Sequence, residues 1–499
     1  MNIMKKLFII ILFLSGITAG LVAQDTLVVS LVDAIGRSRT ISVDAVVARN
    51  QYKSSYWEYR TYKSELLPLA TLSTTLPYYS KSYNAFQNSD GSYTYVSNDY
   101  SQMDASLSIS QNIPLTGGSI SVESSLQRLQ QYGDNNTTRY MAIPASVTLE
   151  QPIFGFNRVK WLQKIEPVKY NEAKRKLTAD MESVSNQTIT YYFNLLVGQI
   201  NLEIAYQNLK NSEKLYTIAE AKRKIGQISE NDLLQLKVSL LKSESYMTDA
   251  QASFNSRMFQ LRSYLGYGED VVIRPVIPDI FSETLPVLSY PEVISLARQN
   301  NAFTQTIQRR MLEADRDISQ AKADRWNAKL FVSFGMSGGQ DDTFSRAFNS
   351  NNWRNNQIVN VGISIPILDW GGRGKGKVKI AEANRDVEKA KVEKDQMDFN
   401  QNVYLRVQNF NSQSKQLELA KVTDEVAQKR YNTSIEAFVL GKIDVLNLND
   451  SQSSKDEARR NYIEQMYLLW SYYYQIRSLT LYDFINKEDL AVSYDNIIN

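Results

Sequence analysis

The most recognisable chemical signal is the glycine- and lysine-rich run GGRGKGKV at positions 371–378. It nearly matches the loop that cradles nucleotide phosphates, and it follows a strand-like segment and opens a helix-like one. However, Val378 stands where such a loop needs a Ser or Thr to hold magnesium. The corresponding Phe156-Asn157-Arg158 of the first half has no such loop. We therefore interpret the run as a flexible junction between strand and helix.

The amino-acid composition excludes most other catalytic mechanisms. The 499 residues include neither His nor Cys, which excludes disulfides, thiolate nucleophiles, lipidated cysteine anchors and most transition-metal sites. The commonest general base is also missing, and no carboxylate pair stands out. We expect no enzyme, no catalytic residue, no metal site and no cofactor. With 56 basic and 53 acidic residues, the charge balance does not favour nucleic-acid binding.

The N-terminus has the pattern of a secretory signal peptide. Lys5 and Lys6 precede an apolar run from Leu7 to Leu14, and mostly small or apolar residues continue to Ala23. We predict that residues 1–23 are the signal peptide, because the run is too short for a transmembrane anchor. No later stretch approaches about 18 apolar residues, so a membrane crossing by the mature protein must use β-strands.

The chain contains two similar halves. Several residues recur further along at a constant offset: Tyr216, Gly226, Ile228 and Leu233 as Tyr431, Gly441, Ile443 and Leu448. Two copies predict one supersecondary unit used twice. We predict a first repeat at 24–268, a linker or small packing element at 269–290, a second repeat at 291–485 and a C-terminal tail at 486–499.

Alternation of apolar and polar residues predicts strands in both halves. Val359, Val361 and Ile363 share one face, and Asn360 and Ser364 share the other, which is typical of a half-buried strand. The same reasoning gives six strands of about ten residues, at roughly 70–78, 103–112, 118–127, 143–153, 329–337 and 357–367. The pair at 103–112 and 118–127 is an added hairpin that only the first half contains.

Each second strand is followed by a very long helical stretch, at about 158–226 and 373–441. Each is long enough for roughly 100 Å of helix, and heptad spacing predicts coiled-coil packing of Leu195, Leu202, Leu209 and Tyr216. Gly226 and Gly441 interrupt the two helices, and Ser229 and Asp444 are good N-cap residues for return helices that end near 266 and 483. A further helix is predicted from Pro291 to about 328.

Aromatic residues divide into two groups. Trp470 and the run Tyr472-Tyr473-Tyr474 lie near the end of a return helix, which favours packing between helices over a membrane belt. Tyr78, Tyr79, Tyr83 and Tyr100 lie at strand ends and are better candidates for a belt at the membrane surface.

Six strands per chain predict an oligomer. Strands of about ten residues cross an outer membrane when tilted, but the smallest single-chain barrels have eight strands. An open sheet edge cannot face lipid, so the barrel must be shared between copies. We predict an α+β membrane protein with a shared transmembrane β-barrel, continued by a long periplasmic α-helical barrel.

The doubled layout, the strand ends and the helix tips together resemble the TolC family of outer membrane channel proteins. The matching segments are Gln151-Pro152-Ile153-Phe154-Gly155, Ile365-Pro366-Ile367-Leu368-Asp369, Ile225-Gly226-Gln227-Ile228-Ser229 and Leu440-Gly441-Lys442-Ile443-Asp444. The resemblance implies a homotrimer in the outer membrane that extends into the periplasm. It also implies docking to a periplasmic adaptor (a membrane fusion protein) and an inner-membrane RND or ABC transporter, for efflux or type I secretion. The added hairpin leaves open a barrel of 12 or 18 strands.

The resemblance also assigns candidate pore residues. In that family, acidic residues at the offsets of Asp232 and Asp450 from the tip glycines ring the closed periplasmic entrance. Here Asn447 replaces one acidic residue of the second pair, and Asp444 adds a carboxylate nearer the tip. The alternative is that Asp232 and Asp450 are solvated surface charges and Asp444 is only a helix cap.

The tips are the candidate docking site for the adaptor, because each places apolar residues around a glycine. The residues concerned are Ile225, Gly226, Gln227, Ile228, Leu440, Gly441, Lys442 and Ile443. A structural periplasmic coiled-coil scaffold or adhesin without a channel is the competing function. The apolar strand faces speak against it, because a soluble scaffold has no need to expose them.

Overall fold

A computed structural model describes residues 26–133, 136–278, 286–326, 328–336, 342–347, 349, 357–365, 371–490, 492 and 494–498. The predicted signal peptide lies outside these residues. The chain divides into two compact units. Unit 1 comprises Met1–Gln51, Arg175–Asn301 and Phe399–Asn499, and unit 2 comprises Tyr52–Lys174 and Ala302–Asp398.

The secondary structure combines long helices with one large sheet. The helices are α1 (Leu31–Ile41), α2 (Val43–Ser64), α3 (Arg158–Lys224), α4 (Glu230–Tyr264), α5 (Tyr290–Asn300), α6 (Ala302–Arg325), α7 (Phe344–Ala347), α8 (Arg373–Val439), α9 (Val445–Thr480) and α10 (Asp495–Ile498). The strands are β1 (Thr26–Val29), β2 (Leu69–Gln87), β3 (Tyr93–Asn112), β4 (Ser119–Tyr132), β5 (Thr137–Pro152), β6 (Val272–Pro275), β7 (Lys329–Met336), β8 (Gln357–Ser364), β9 (Tyr482–Asp483) and β10 (Glu488–Asp489).

The six predicted strands are confirmed, and they form a single antiparallel sheet in the order β2-β3-β4-β5-β7-β8. The predicted length of about ten residues is wrong for the first four, which have 19, 20, 14 and 16 residues. Their extensions are rich in Tyr, Ser and Asn and lack clean alternation. A register shift between Thr75 and Tyr78, where Pro77 has no N–H to donate, further obscures the pattern in β2.

The two long helices are confirmed, at 67 residues each. The first of them, α3, contains Pro167 in its interior. The single helix predicted from Pro291 to about 328 is wrong, because the chain breaks at Asn301 into α5 and α6. Asn301 has extended backbone, and its side-chain amide donates to the carbonyl oxygens of Ser478 and Leu479 at 3.4 and 2.9 Å. These tertiary hydrogen bonds stabilise the break.

Unit 1 has a large hydrophobic core that joins α1, α3, α4, α5, α8 and α9. Trp470, Tyr473 and Tyr474 are buried in it, which confirms their predicted packing role. The linker contains β6, which pairs in parallel with β1. Buried Tyr192 joins these strands: its hydroxyl lies 3.0 Å from the carbonyl oxygen of Val29 and accepts from the N–H of Val276 at 3.0 Å. Burial raises the pKa of Tyr192 to about 12, so the hydroxyl stays protonated.

In the part of the chain that the structure describes, no helix has both the length and the apolar composition needed to span a membrane.

Candidate pore entrance and membrane-facing sheet

The six-stranded sheet of unit 2 has one continuous apolar face. One row of paired residues crosses every strand from β2 to β8, and every member is apolar: Ala70, Ile109, Val122, Val147, Phe334 and Val359. Large members of this face are exposed to solvent in the single chain, including Leu72 at 72% and Val361 at 68%. An apolar face of this extent on all six strands needs a covering environment.

The opposite face of the same sheet is mostly polar, with Leu69, Phe331 and Ile358 as apolar exceptions. The next row along the strands reads Leu69, Ser110, Ser121, Thr148, Ser333 and Asn360. Successive residues of a strand point to opposite faces, so apolar and hydroxyl side chains are separated by the pleat. Alternation of apolar and polar rows of this kind is typical of membrane-spanning β-strands.

Beyond the aliphatic rows, tyrosines of β2 and β3 lie on both faces of the sheet. Tyr79 pairs with Ser101 and Tyr83 with Ser97, which puts both on the apolar face, and both are exposed. Tyr78 pairs with Gln102, and Tyr100 pairs with Ser80, which puts these two on the polar face. The register therefore keeps Tyr79 and Tyr83 as belt candidates and moves the other two to the polar side of the sheet.

The two helix tips of unit 1 have the same local geometry. Gly226 has φ +70° and Gly441 has φ +72°. In the first tip the N–H groups of Gly226 and Gln227 donate to the carbonyl oxygens of Arg223 and Lys222. In the second tip Gly441 and Lys442 donate to Phe438 and Ala437 in the same way. Both helices thus end in a Schellman motif, whose left-handed residue favours glycine.

Each return helix also begins with an N-cap residue whose side chain accepts a backbone hydrogen bond. Ser229 caps α4 in a reciprocal capping box with Asp232, whose carboxylate accepts from the Ser229 hydroxyl at 2.7 Å. Asp444 caps α9 by accepting from the backbone N–H of Asn447 at 2.8 Å. Both predicted N-caps are confirmed, and both acidic groups lie at helix N-termini, where a negative charge is favourable.

The structure brings the two tips together around an open cleft of about 750 Å³. Its lining includes the tip residues Gly226, Gln227, Ile228, Leu440, Gly441 and Ile443, and also Asp232 and Asp444. A small core lies beneath, formed by Leu215, Ala219, Leu236, Tyr431, Phe438, Val445 and Leu448. Ile225 and Leu440 remain exposed at 68% and 69%. The cleft therefore combines apolar and acidic groups over a packed base.

Asp450 lies on the exposed surface of α9 and is paired within the same chain. Its carboxylate accepts from the Arg430 guanidinium of α8 at 2.5 Å, and Arg430 also donates to Ser454 at 3.3 Å. Asn447 is exposed one turn closer to the tip. Sequence reasoning missed Arg430, because the two residues meet only when the α8–α9 hairpin folds back.

Unit 1 also contains a buried ionic network that sequence reasoning missed. Glu182 pairs with Arg39 and Arg477, and Arg477 pairs with Asp483 at 2.7 Å. Asp483 is 2% exposed and also accepts hydrogen bonds from Tyr473 and from the backbone N–H groups of residues 485 and 486. Burial alone would raise the pKa of Asp483, but the Tyr473 hydrogen bond, the backbone donors and Arg477 together hold it below its usual value of 3.8.

Comparison with known proteins gives a consistent picture. A family model described as outer membrane efflux protein matches residues 118–267 and 293–482. No curated protein matches by sequence. The fold is similar to the CmeC outer membrane channel of Campylobacter jejuni, at 13% identity and TM-score 0.67, over 94% of this chain and 88% of that one. It is also similar to VceC of Vibrio cholerae (14%, 0.63, covering 92% and 97%) and MtrE of Neisseria gonorrhoeae (15%, 0.60, covering 93% and 91%).

The fold is therefore that of the outer membrane channels. The family model covers more than half of the chain, so the chain belongs to the outer membrane efflux protein family. The predicted resemblance to the TolC family is confirmed. The family consists of channels of the outer membrane and not of enzymes, and the predicted outer membrane location agrees with it. Residues 366–369 of the second strand-end segment lie outside the described residues.

Proposed function

We propose that this protein is the exit duct of a tripartite efflux pump or a type I secretion system. It works as a homotrimer and passes substrates from an inner-membrane RND or ABC transporter complex, through a periplasmic adaptor, across the periplasm and the outer membrane. The observation that supports the proposal is the sheet with an apolar row across all six strands on one face and mostly polar residues on the other. A coiled-coil scaffold or adhesin without a channel has no use for such a sheet.

The homotrimer is supported by unpartnered apolar seams on two helices of unit 1. On α4 the exposed residues Leu234, Val238 and Leu241 are spaced by four and three. On α8 an exposed seam of the same type is formed by Leu419, Val422 and Val426. Spacing of this kind is the seam of a coiled coil. We propose that the seam on α4 of one copy packs against the seam on α8 of the next copy. This contact is head-to-tail, and three such contacts related by a threefold rotation close into a ring.

The tips are the proposed docking surface for the adaptor. Exposed Ile225 and Leu440 flank a cleft that both tips line, so a partner would meet two similar half-sites in each copy. This similarity also supports the proposed division into repeats at 24–268 and 291–485, with the linker at 269–290 and the tail at 486–499. Gln227, Ile228, Lys442 and Ile443 complete the proposed contact.

The proposed entrance is lined by Asp450, with Asn447, Asp444 and Asp232 near it. Asp232 and Asp444 also stabilise the starts of α4 and α9, so each would combine a structural role with its place near the entrance. Asp450 is 62% exposed and has no capping role, and it would reach the entrance together with its partner Arg430 as a neutral ion pair.

The proposal is tested by deleting the gene and measuring dye accumulation in cells and the set of secreted proteins. We expect dye to accumulate or a secreted protein to disappear, and the wild-type gene to restore the phenotype. Combined Gly226→Trp and Gly441→Trp should fail to restore it while the trimer still assembles. Gly91→Trp is the matched control, because Gly91 also has positive φ and open space around it but lies in the β2–β3 turn.

Unchanged dye levels and secretion in the deletion strain would contradict the exit-duct function. Full restoration by the double tryptophan variant would contradict only the docking role of the tips, and the exit-duct function would stand.

A further inference from the structure

We infer that all six strands belong to the barrel wall, so that three copies close an 18-stranded barrel. The closing contact pairs β2 of one copy with β8 of the next. The inference rests on the proposed homotrimer, and it decides between barrels of 12 and 18 strands. It also names the interaction surface, which consists of the two edges of the sheet, and its partner, which is a second copy of this chain.

The first argument is the unbroken hydrogen-bonded ladder. The added hairpin β3–β4 lies between β2 and β5, and each of its strands pairs along nearly its whole length with a neighbour. Within the described sheet, β2 and β5 have no direct pairing. A four-strand wall without the β3–β4 hairpin would therefore require breaking two ladders and making a new one.

The second argument is the surface chemistry of the hairpin. Ile109 of β3 and Val122 of β4 stand in the apolar row that runs from Ala70 to Val359. On the other face, Ser110 and Ser121 stand in the polar row. A hairpin outside the wall would not need the same inward and outward pattern as its neighbours. The match indicates that the hairpin meets the same lipid and the same lumen.

The third argument is that the hairpin turn is fixed to its surroundings. The side-chain amide of Asn157, just after β5, donates to the carbonyl oxygen of Pro114 at 3.0 Å. On the other side, the amide of Gln111 donates to the carbonyl oxygen of Leu66, just before β2, at 2.9 Å. Gly117 has φ +76°, and a Cβ there would lie 2.9 Å from Asn157, so the close approach requires glycine.

The fourth argument concerns the two edges. The antiparallel order makes β2 and β8 run in opposite directions, so an edge-to-edge contact between copies continues the same antiparallel pattern. Leu72 on β2 and Val361 on β8 carry the apolar face to both edges. An unpaired edge is not tolerated in lipid, and the opposite edge of the next copy provides the missing partner for each of these two strands.

The strand count sets the width of the exit. With strands about 4.8 Å apart and tilted by about 40°, a barrel of 18 strands is about 36 Å across, against about 24 Å for 12 strands. The cross-section thus grows by about 2.3-fold.

Disulfide cross-linking of the intact trimer tests the edge pairing, because the chain has no Cys of its own. Thr71→Cys on the polar face of β2 is combined in turn with Ile358→Cys, Asn360→Cys or Gly362→Cys on the polar face of β8. We expect at least one pair to link chains into covalent dimers and trimers on a non-reducing gel. Ser121→Cys on β4 with the same three β8 variants should not link chains.

The intrachain control is Thr148→Cys with Ser333→Cys, which are direct partners on β5 and β7. If the control links within the chain but no β2–β8 pair links copies, the inference is wrong. Links from β4 to β8 in a trimer that conducts ions would overturn the 18-stranded wall and leave the proposed duct intact. A monomer without conductance would overturn both. A strand count from a cryo-EM map of the trimer in nanodiscs provides the second readout, and 12 strands would refute the inference.

Discussion

Removal of the charge from either member of the Arg430–Asp450 pair should shift the ion selectivity of the channel, and the two shifts should have opposite signs. The wild-type pair is neutral within each chain, because the carboxylate accepts from the guanidinium at 2.5 Å. Asp450→Asn leaves the arginine charge and makes each proposed trimer more positive by three charges. Arg430→Gln leaves the carboxylate and makes the trimer more negative by the same amount. If the pair lines the entrance, the first variant should favour anions and the second should favour cations.

The size of the effect follows from simple electrostatics. Three unit charges about 8 Å from an ion on the axis contribute about 1.5 kcal/mol in water, and screening at 0.1 M salt leaves about half of it. This changes the local concentration of a monovalent ion about threefold. Fold stability should hardly change, because side chains that are 51% and 62% exposed form a surface ion pair worth about 0–1 kcal/mol.

The assay is the reversal potential in a salt gradient across a planar bilayer. Wild type should lie between the two variants, and the separation should shrink as the salt concentration rises. The melting temperature of each variant serves as the control for folding. Identical reversal potentials in all three proteins, or shifts of the same sign in both variants, would refute the pore-lining assignment and leave a solvated surface pair.

Two further predictions concern stability and assembly. Asp483→Asn removes the buried carboxylate that accepts from Tyr473 and Arg477, although Arg477 keeps its pair with Glu182. The loss of these charged hydrogen bonds should cost about 1.5–3 kcal/mol. Because the folded pKa of Asp483 is lowered, its contribution to stability is present above pH 3.8 and is lost as the pH falls through the folded pKa, so wild type and variant should converge in acid unfolding experiments. A constant difference down to pH 2 would contradict this. Val422→Asp should weaken the trimer in native mass spectrometry, whereas Gln428→Asp on another face of α8 should not; equal effects would argue against the seam.

The parts of the fold that depend on local signals were predictable from the sequence. The ends of the long helices follow from Gly226 and Gly441, where the left-handed residue of a Schellman motif favours glycine, and from Ser229 and Asp444, whose side chains reach backbone N–H groups three residues on. The strands followed wherever branched apolar residues alternate with small polar ones, as around Val361.

The parts that depend on tertiary contacts were not predictable. The break at Asn301 depends on carbonyl groups about 180 residues away. The pairing of Arg430 with Asp450, and of Glu182 with Arg39 and Arg477, arises only when separate helices pack together. No local pattern of residues indicates such partners, because long-range ion pairs leave no periodicity in the sequence.

The central claim is that this protein forms a channel through the outer membrane, and single-channel recording with the purified protein tests it most directly. We predict discrete current steps in a planar bilayer. Val122→Asp on the apolar face should reduce insertion, because a charge facing lipid is destabilising, whereas Ser121→Asp on the polar face of the same strand should still insert and conduct. Absence of current steps from folded wild-type oligomer, or equal insertion of the two aspartate variants, would contradict the account.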